Sequence, residues 1–76
     1  MHYKNMSPEE VRHTVNTLAM GSAARRYQRT HPQASEDEAW QWAERNAFLF
    51  HETALDLLVL ISAYEETSAI ARERRN

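Results

Sequence analysis

Three arginines and a histidine close to one another form the most suggestive chemical feature of the sequence. Arg25, Arg26 and Arg29 precede His31 within a stretch of seven residues. Guanidinium groups at a helix end bind phosphates or carboxylates through paired hydrogen bonds, so one interpretation of this basic cluster is a nucleic-acid-binding surface. We favour another, in which the arginines complement the helix dipole and pair with the acidic residues 36–38, because no nucleic-acid recognition motif accompanies them.

A second chemical pattern is the pair Glu10 and His13, which has the Glu-x-x-His spacing of di-iron helical bundles. The pair lies away from the apolar face formed by Val11, Val15 and Leu18, so we expect both side chains to face solvent. The sequence therefore predicts no metal and no other cofactor. A helical metal or small-ligand binder stays as the second alternative function.

The composition argues against an enzyme and against membrane insertion. The chain has no cysteine and one glycine, which excludes a thiolate nucleophile and a glycine-rich phosphate loop. Ser22 and Ser62 have no evident base beside them. The N-terminal residues lack the basic and apolar segments of a secretory signal, and the longest apolar run, residues 57–61, is too short to cross a bilayer. We expect a cytoplasmic protein without a membrane partner.

The net charge of −2 is unevenly distributed along the 76 residues. Residues 1–34 carry five Lys/Arg against two Glu, whereas residues 35–76 carry four Arg against nine Asp/Glu. Such asymmetry either marks a partner surface or lets the two halves attract each other within one fold. We favour the second interpretation, since the net charge is small.

Two serine caps divide the chain into helices. Ser7, followed by Pro8 and by Glu10 three residues after the cap, predicts a helix over residues 8–30. The apolar pattern slips after Gly21, which indicates a bend there or a helix that leaves the core. Pro32 places a turn at residues 31–35, and Ser35 then begins a long helix over residues 36–73 that contains neither Gly nor Pro.

The long helix is apolar around most of its circumference, and one preceding helix cannot cover it. We therefore predict an all-α helical hairpin, a single domain that dimerises into a four-helix bundle. The alternative is a monomeric three-helix bundle, with a break near Arg45–Asn46 or near His51–Glu52. Heptad spacing gives the packing seam as Trp40, Ala47, Ala54, Ile61 and Ser68 together with Ala43, Phe50, Leu57, Tyr64 and Ala71.

From this pattern the sequence predicts a small, non-enzymatic protein-interaction or regulatory module that acts as a homo-oligomer. Its partners are a second copy and, beyond that, another protein, with nucleic acid as the less favoured alternative. The residues predicted for the oligomer interface are Phe50, Leu57, Leu58, Leu60, Ile61 and Tyr64. Those predicted for an outside partner are Trp42, Glu52, Asp56, Arg25, Arg26 and Arg29.

Overall fold

The protein is all-helical, as the computed structural model shows for residues 2–74, which are the residues it describes. Helix α1 spans Pro8–Thr30, α2 spans Glu36–Asn46 and α3 spans His51–Arg74. Short 3-10 helices occupy Tyr3–Asn5 and Ala47–Phe50. We call α2, the second 3-10 helix and α3 together the second arm. This arm runs antiparallel to α1 and forms a hairpin with it.

Both main helix starts are fixed by serine side chains. Ser7 Oγ accepts a hydrogen bond from the Glu10 amide at 3.2 Å, and the Ser7 amide donates to Glu10 Oε1 at 3.4 Å. Ser35 Oγ likewise accepts from the Glu38 amide at 3.1 Å. These bonds satisfy amides that have no partner inside the first helical turn. The two caps therefore set where each arm of the hairpin begins.

The second arm is distorted at one residue, and this distortion does not produce a three-helix bundle. Asn46 has φ −122° and ψ 3°, outside the helical range, while Ala47, the first residue of the 3-10 helix, and His51, the residue after it, are helical. The Asn46 side-chain amide donates to the Trp42 carbonyl at 2.8 Å, a bond that competes with the regular helical pattern. Both α2 and α3 pack along α1, with no extensive packing on each other.

Helix α1 continues through Gly21 without interruption. Its first half contacts α3 through Val15 and Ala19, and its second half contacts α2 through Ala23 and Ala24. The slip in the apolar pattern reflects this change of partner. The departure from regular α-helix lies in the second arm, at Asn46 and the 3-10 helix, while α1 continues as one helix.

The core between the two arms is built mainly from alanine. Alanine at the contact positions allows the helix backbones to approach closely, but each such residue buries little apolar area. Leu58 is 2% exposed and is the largest apolar side chain in this group. The buried residues are Val15, Ala19, Ala23, Ala24, Ala39, Ala43, Ala54, Leu58 and Ser62, and we call this set the alanine core.

The predicted heptad seam matches the contact within the chain only in part. Its members Ala43 and Ala54 are 0% exposed and belong to the alanine core. The buried residues of α3 are Ala54, Leu58 and Ser62, at a spacing of four rather than in heptads. Tyr64, a seam position, is 73% exposed, and Trp40 at the start of the seam is 41% exposed. The large residues of the heptad pattern thus lie beside the in-chain contact rather than on it.

Candidate interaction surface

The outer side of α3, together with the last residue of the preceding 3-10 helix, carries an apolar stripe that the hairpin covers only in part. Its members recur at spacings of three, four and seven, which places them on one side of the helix. Leu60 is 64% exposed and Tyr64 is 73% exposed, while the other three are half-buried at the edge of the core. We call this set the outer stripe, and it consists of Phe50, Leu57, Leu60, Ile61 and Tyr64.

Leu58 was predicted for the same interface, but the structure places it elsewhere. Its side chain packs with Val15, Ala19 and Ala54 in the alanine core. A residue that is 2% exposed within one chain has no surface left for a second chain. Leu58 therefore stabilises the hairpin itself, and it does not belong to the outer stripe.

An aromatic cleft opens where α1, α2 and the second 3-10 helix meet. The Tyr27 and Trp42 rings stack at a centroid distance of 5.4 Å, and Trp42 meets Phe50 edge-on at 6.3 Å. On the other side of Tyr27, the His31 ring stacks at 4.2 Å. The cleft has a volume of about 470 Å³. Its remaining lining residues are Arg26, Thr30, Leu49 and Thr53.

The prediction that Trp42 is an exposed partner anchor needs correction, because Trp42 is half-buried between Tyr27 and Phe50. The exposed tryptophan is Trp40, two residues earlier on α2. Sequence reasoning missed the aromatic cleft because Tyr27 and Phe50 are far apart in the chain. The sequence signal was the set of aromatic residues itself, with Tyr27 before the turn and Trp40, Trp42, Phe48 and Phe50 after it.

The acidic residues Glu52 and Asp56 are exposed and lie four positions apart, one helical turn, on α3. Neither forms an ion pair within the described part of the chain. A second group of exposed apolar side chains, Leu55, Val59 and Ile70, shares the surface of α3 with them. The acidic strip therefore has solvent, rather than another part of the hairpin, as its neighbour.

The basic cluster is exposed at the C-terminal end of α1. Arg25, Arg26 and Arg29 all have exposed side chains. The ion pairs that we predicted with the acidic residues 36–38 are absent from the described residues. Arg26 lines the aromatic cleft, and neither Arg25 nor Arg29 does. Arg26 is thus the one arginine of the basic cluster that lies at the cleft.

Glu10 and His13 are both exposed and line an open depression of about 730 Å³ that also includes His2. The Glu10 carboxylate is occupied in the helix cap, where it accepts from the Ser7 amide. Over the residues that the structure describes, no group of three His, Cys, Asp or Glu side chains is placed to hold a metal ion.

The N-terminal segment packs across the far end of α3, a contact that the sequence did not suggest. The Tyr3 amide donates to Ser62 Oγ at 3.1 Å, and His2 Nε2 lies 3.3 Å from Glu66 Oε2. Ser62 is 1% exposed, so this bond satisfies its buried hydroxyl oxygen. The segment closes the alanine core beyond the start of α1.

The second arm is long and apolar enough to cross a membrane when judged by length and composition alone. Within Glu36–Glu73, an 18-residue window has a mean hydropathy of 1.4, and 17% of that window is buried in the hairpin. The shortness of the run at residues 57–61 had indicated the opposite. The core helix of a water-soluble protein meets the same criterion, so this criterion does not separate a membrane surface from a protein interface.

Comparison with known proteins gives no match: no family model, no curated protein and no solved structure resembles the chain.

Proposed function

We propose that the chain is a non-enzymatic interaction module that pairs with a second copy of itself through the outer stripe. The observation that carries this proposal is that small side chains are buried while large apolar side chains are exposed. Small residues fill the contact between the two arms, while Leu60 and Tyr64 are mostly exposed. Contiguous exposed apolar surface of this kind marks interaction sites in soluble proteins.

The small size of the protein supports a partner that is always present. A chain of 76 residues has a limited core, and chains of this size commonly gain stability from disulfides, metals or association. This chain has no cysteine. Its alanine core buries little area per residue. Association is therefore the route by which we expect the folded state to become stable.

A second copy fits the outer stripe better than a bilayer does. The stripe follows heptad spacing, which is the pattern by which two helices interlock, and helical hairpins commonly pair into four-helix bundles. A bilayer would also have to accept the polar side chains on the exposed surface of α1, among them Arg12, His13 and Asn16. Charged groups at that depth are costly in hydrocarbon.

The test is sedimentation equilibrium from micromolar to millimolar concentration. We expect a reversible dimer of twice the chain mass of 8.9 kDa. Leu60→Glu should raise the dimer Kd at least about 100-fold, which corresponds to about 2.7 kcal/mol. Val59→Glu is the matched control, because Val59 is also half-exposed but points away from the outer stripe.

Two outcomes would contradict the proposal. One is a folded monomer at every concentration. The other is a protein that stays monomeric in buffer but co-sediments with phosphatidylcholine vesicles. That result would assign the apolar surface to a membrane instead.

Nucleic-acid binding is the second candidate function. The guanidinium groups of the basic cluster favour it, because they are exposed and form no ion pair with the residues that the structure describes. A polyanion bound by Arg25, Arg26 and Arg29 should dissociate steeply as salt rises. A gel-shift titration with a short DNA duplex at 50 and 200 mM salt tests this, with the Arg25→Ala/Arg29→Ala variant as the comparison. Absence of a shift at the lower salt concentration would rule it out.

A further inference from the structure

The aromatic cleft and the exposed Tyr64 side chain have complementary chemistry. The cleft offers an apolar floor, formed by Trp42, Leu49 and Phe50, and it is open to solvent. Tyr64 is 73% exposed and lies on the outer stripe. It follows Phe50 by 14 residues, about 21 Å along a helix, so it cannot reach the cleft of its own chain.

We propose that Tyr64 of each copy inserts into the aromatic cleft of the other copy, in a dimer whose α3 helices run antiparallel. This inference rests on the proposed function, since it specifies how the two copies meet. A twofold axis close to Leu57 brings Tyr64 of one chain level with Phe50 and Thr53 of the other. Because the symmetry is twofold, the same contact forms twice and both clefts are filled.

A parallel dimer would not achieve this. There, each Tyr64 would lie beside the Tyr64 of the other copy, about 21 Å from either cleft. The aromatic cleft and the exposed Tyr64 side chain would both stay open to solvent. The antiparallel arrangement accounts for both at once, which is why we favour it.

The chemistry of the cleft suits a tyrosine side chain. The ring would pack on Trp42 and Phe50, and aromatic pairs favour such stacked or edge-on contacts. The phenol group would then lie at the rim, near the Arg26 guanidinium. Arg26 forms no ion pair within the described residues, so its N–H groups are available to the phenol oxygen. An aliphatic side chain would leave this polar rim without a partner.

A double-mutant cycle on the dimer Kd tests the inference. Tyr64→Ala and Leu49→Ala both change exposed side chains, so the hairpin should stay folded, and circular dichroism checks this. We expect each change alone to raise the Kd about 10-fold and the two together to raise it far less than the 100-fold product. Since the two residues cannot touch within one chain, such coupling requires contact between copies.

Ile70→Ala combined with Leu49→Ala is the matched control pair, because Ile70 is 47% exposed on α3 but lies outside the outer stripe. For that pair, the dimer Kd should rise by the product of the two single increases. If the Tyr64→Ala/Leu49→Ala variant still dimerises and its Kd also rises by the full product of the two single increases, the inference is overturned. The proposed function would then still stand. A chain that never dimerises would overturn both.

Discussion

The two sides of α3 are built from residues of different size. The side that faces α1 presents Ala54, Leu58 and Ser62, whereas the outer stripe presents leucines, an isoleucine and two aromatic rings. Small residues bring two helices close together but bury little apolar area, while large residues gain most when they are covered. The hairpin thus uses its smaller residues for internal contact and leaves the larger ones for a surface outside itself.

This comparison gives the two sides different dependences on protein concentration. Contacts in the alanine core form within one chain, so their contribution to the free energy of unfolding is independent of concentration. Contacts of the outer stripe, on the proposal above, require a second chain and follow mass action. Paired substitutions on the two sides can therefore separate them.

The largest expected effect comes from adjacent leucines on opposite sides. Leu58→Ala removes the largest side chain of the alanine core and should lower the free energy of unfolding by about 2–5 kcal/mol at every protein concentration. Leu60→Ala should instead act mainly by raising the dimer Kd, so that its effect shrinks as the protein is diluted. Urea denaturation at two protein concentrations measures both. Equal, concentration-independent losses would erase the proposed distinction.

A smaller effect is expected when the core is overfilled. Ala43 is 0% exposed and packs with Ala23, Ala24 and Ala39. Ala43→Leu adds three carbon atoms at a fully buried contact between the helices, and it should cost about 1–3 kcal/mol in free energy of unfolding. Ala63→Leu makes the same change at an exposed position of α3 and should be close to neutral. If thermal melts showed equal stability for both variants, the alanine core would not be tightly packed.

The all-helical class followed from composition and from the two serine caps, whose hydrogen bonds depend on neighbouring residues only. The buried side of the first half of α1 also followed, since Val15 is buried and Val11 and Leu18 pack against the same cluster.

The buried side of the second arm did not follow. Heptad reasoning placed Trp40 and Tyr64 inside, because it assigns large apolar residues to the contact. A break near Arg45–Asn46 was predicted only as part of the alternative three-helix bundle, whereas the structure has the non-helical Asn46 within the second arm of a hairpin. A continuous heptad count through Asn46 therefore does not describe the residues that follow it, among them Leu58.

The N-terminal contact was equally beyond sequence reasoning. The bond from Tyr3 to Ser62 joins residues that are 59 positions apart, and no periodic pattern links them. The candidate site was predicted only in part for the same reason. The residues of the outer stripe were named from spacing within one helix, but the aromatic cleft needs residues of both arms and was missed.

The smallest expected effect concerns the face of α1 that changes partner at Gly21. A Cβ atom added at Gly21 would have nothing within 4 Å, and α1 is helical on both sides of it. Gly21→Ala should therefore raise the free energy of unfolding by up to about 1 kcal/mol, because alanine loses less backbone entropy on entering a helix. Thermal denaturation followed by circular dichroism measures the gain. Asn16→Ala, at an exposed position of the same helix, shows how much of that gain any alanine would bring. A loss of stability in Gly21→Ala would mean that the change of partner along α1 needs the flexibility of glycine, and that the bend lies in α1 after all rather than in the second arm.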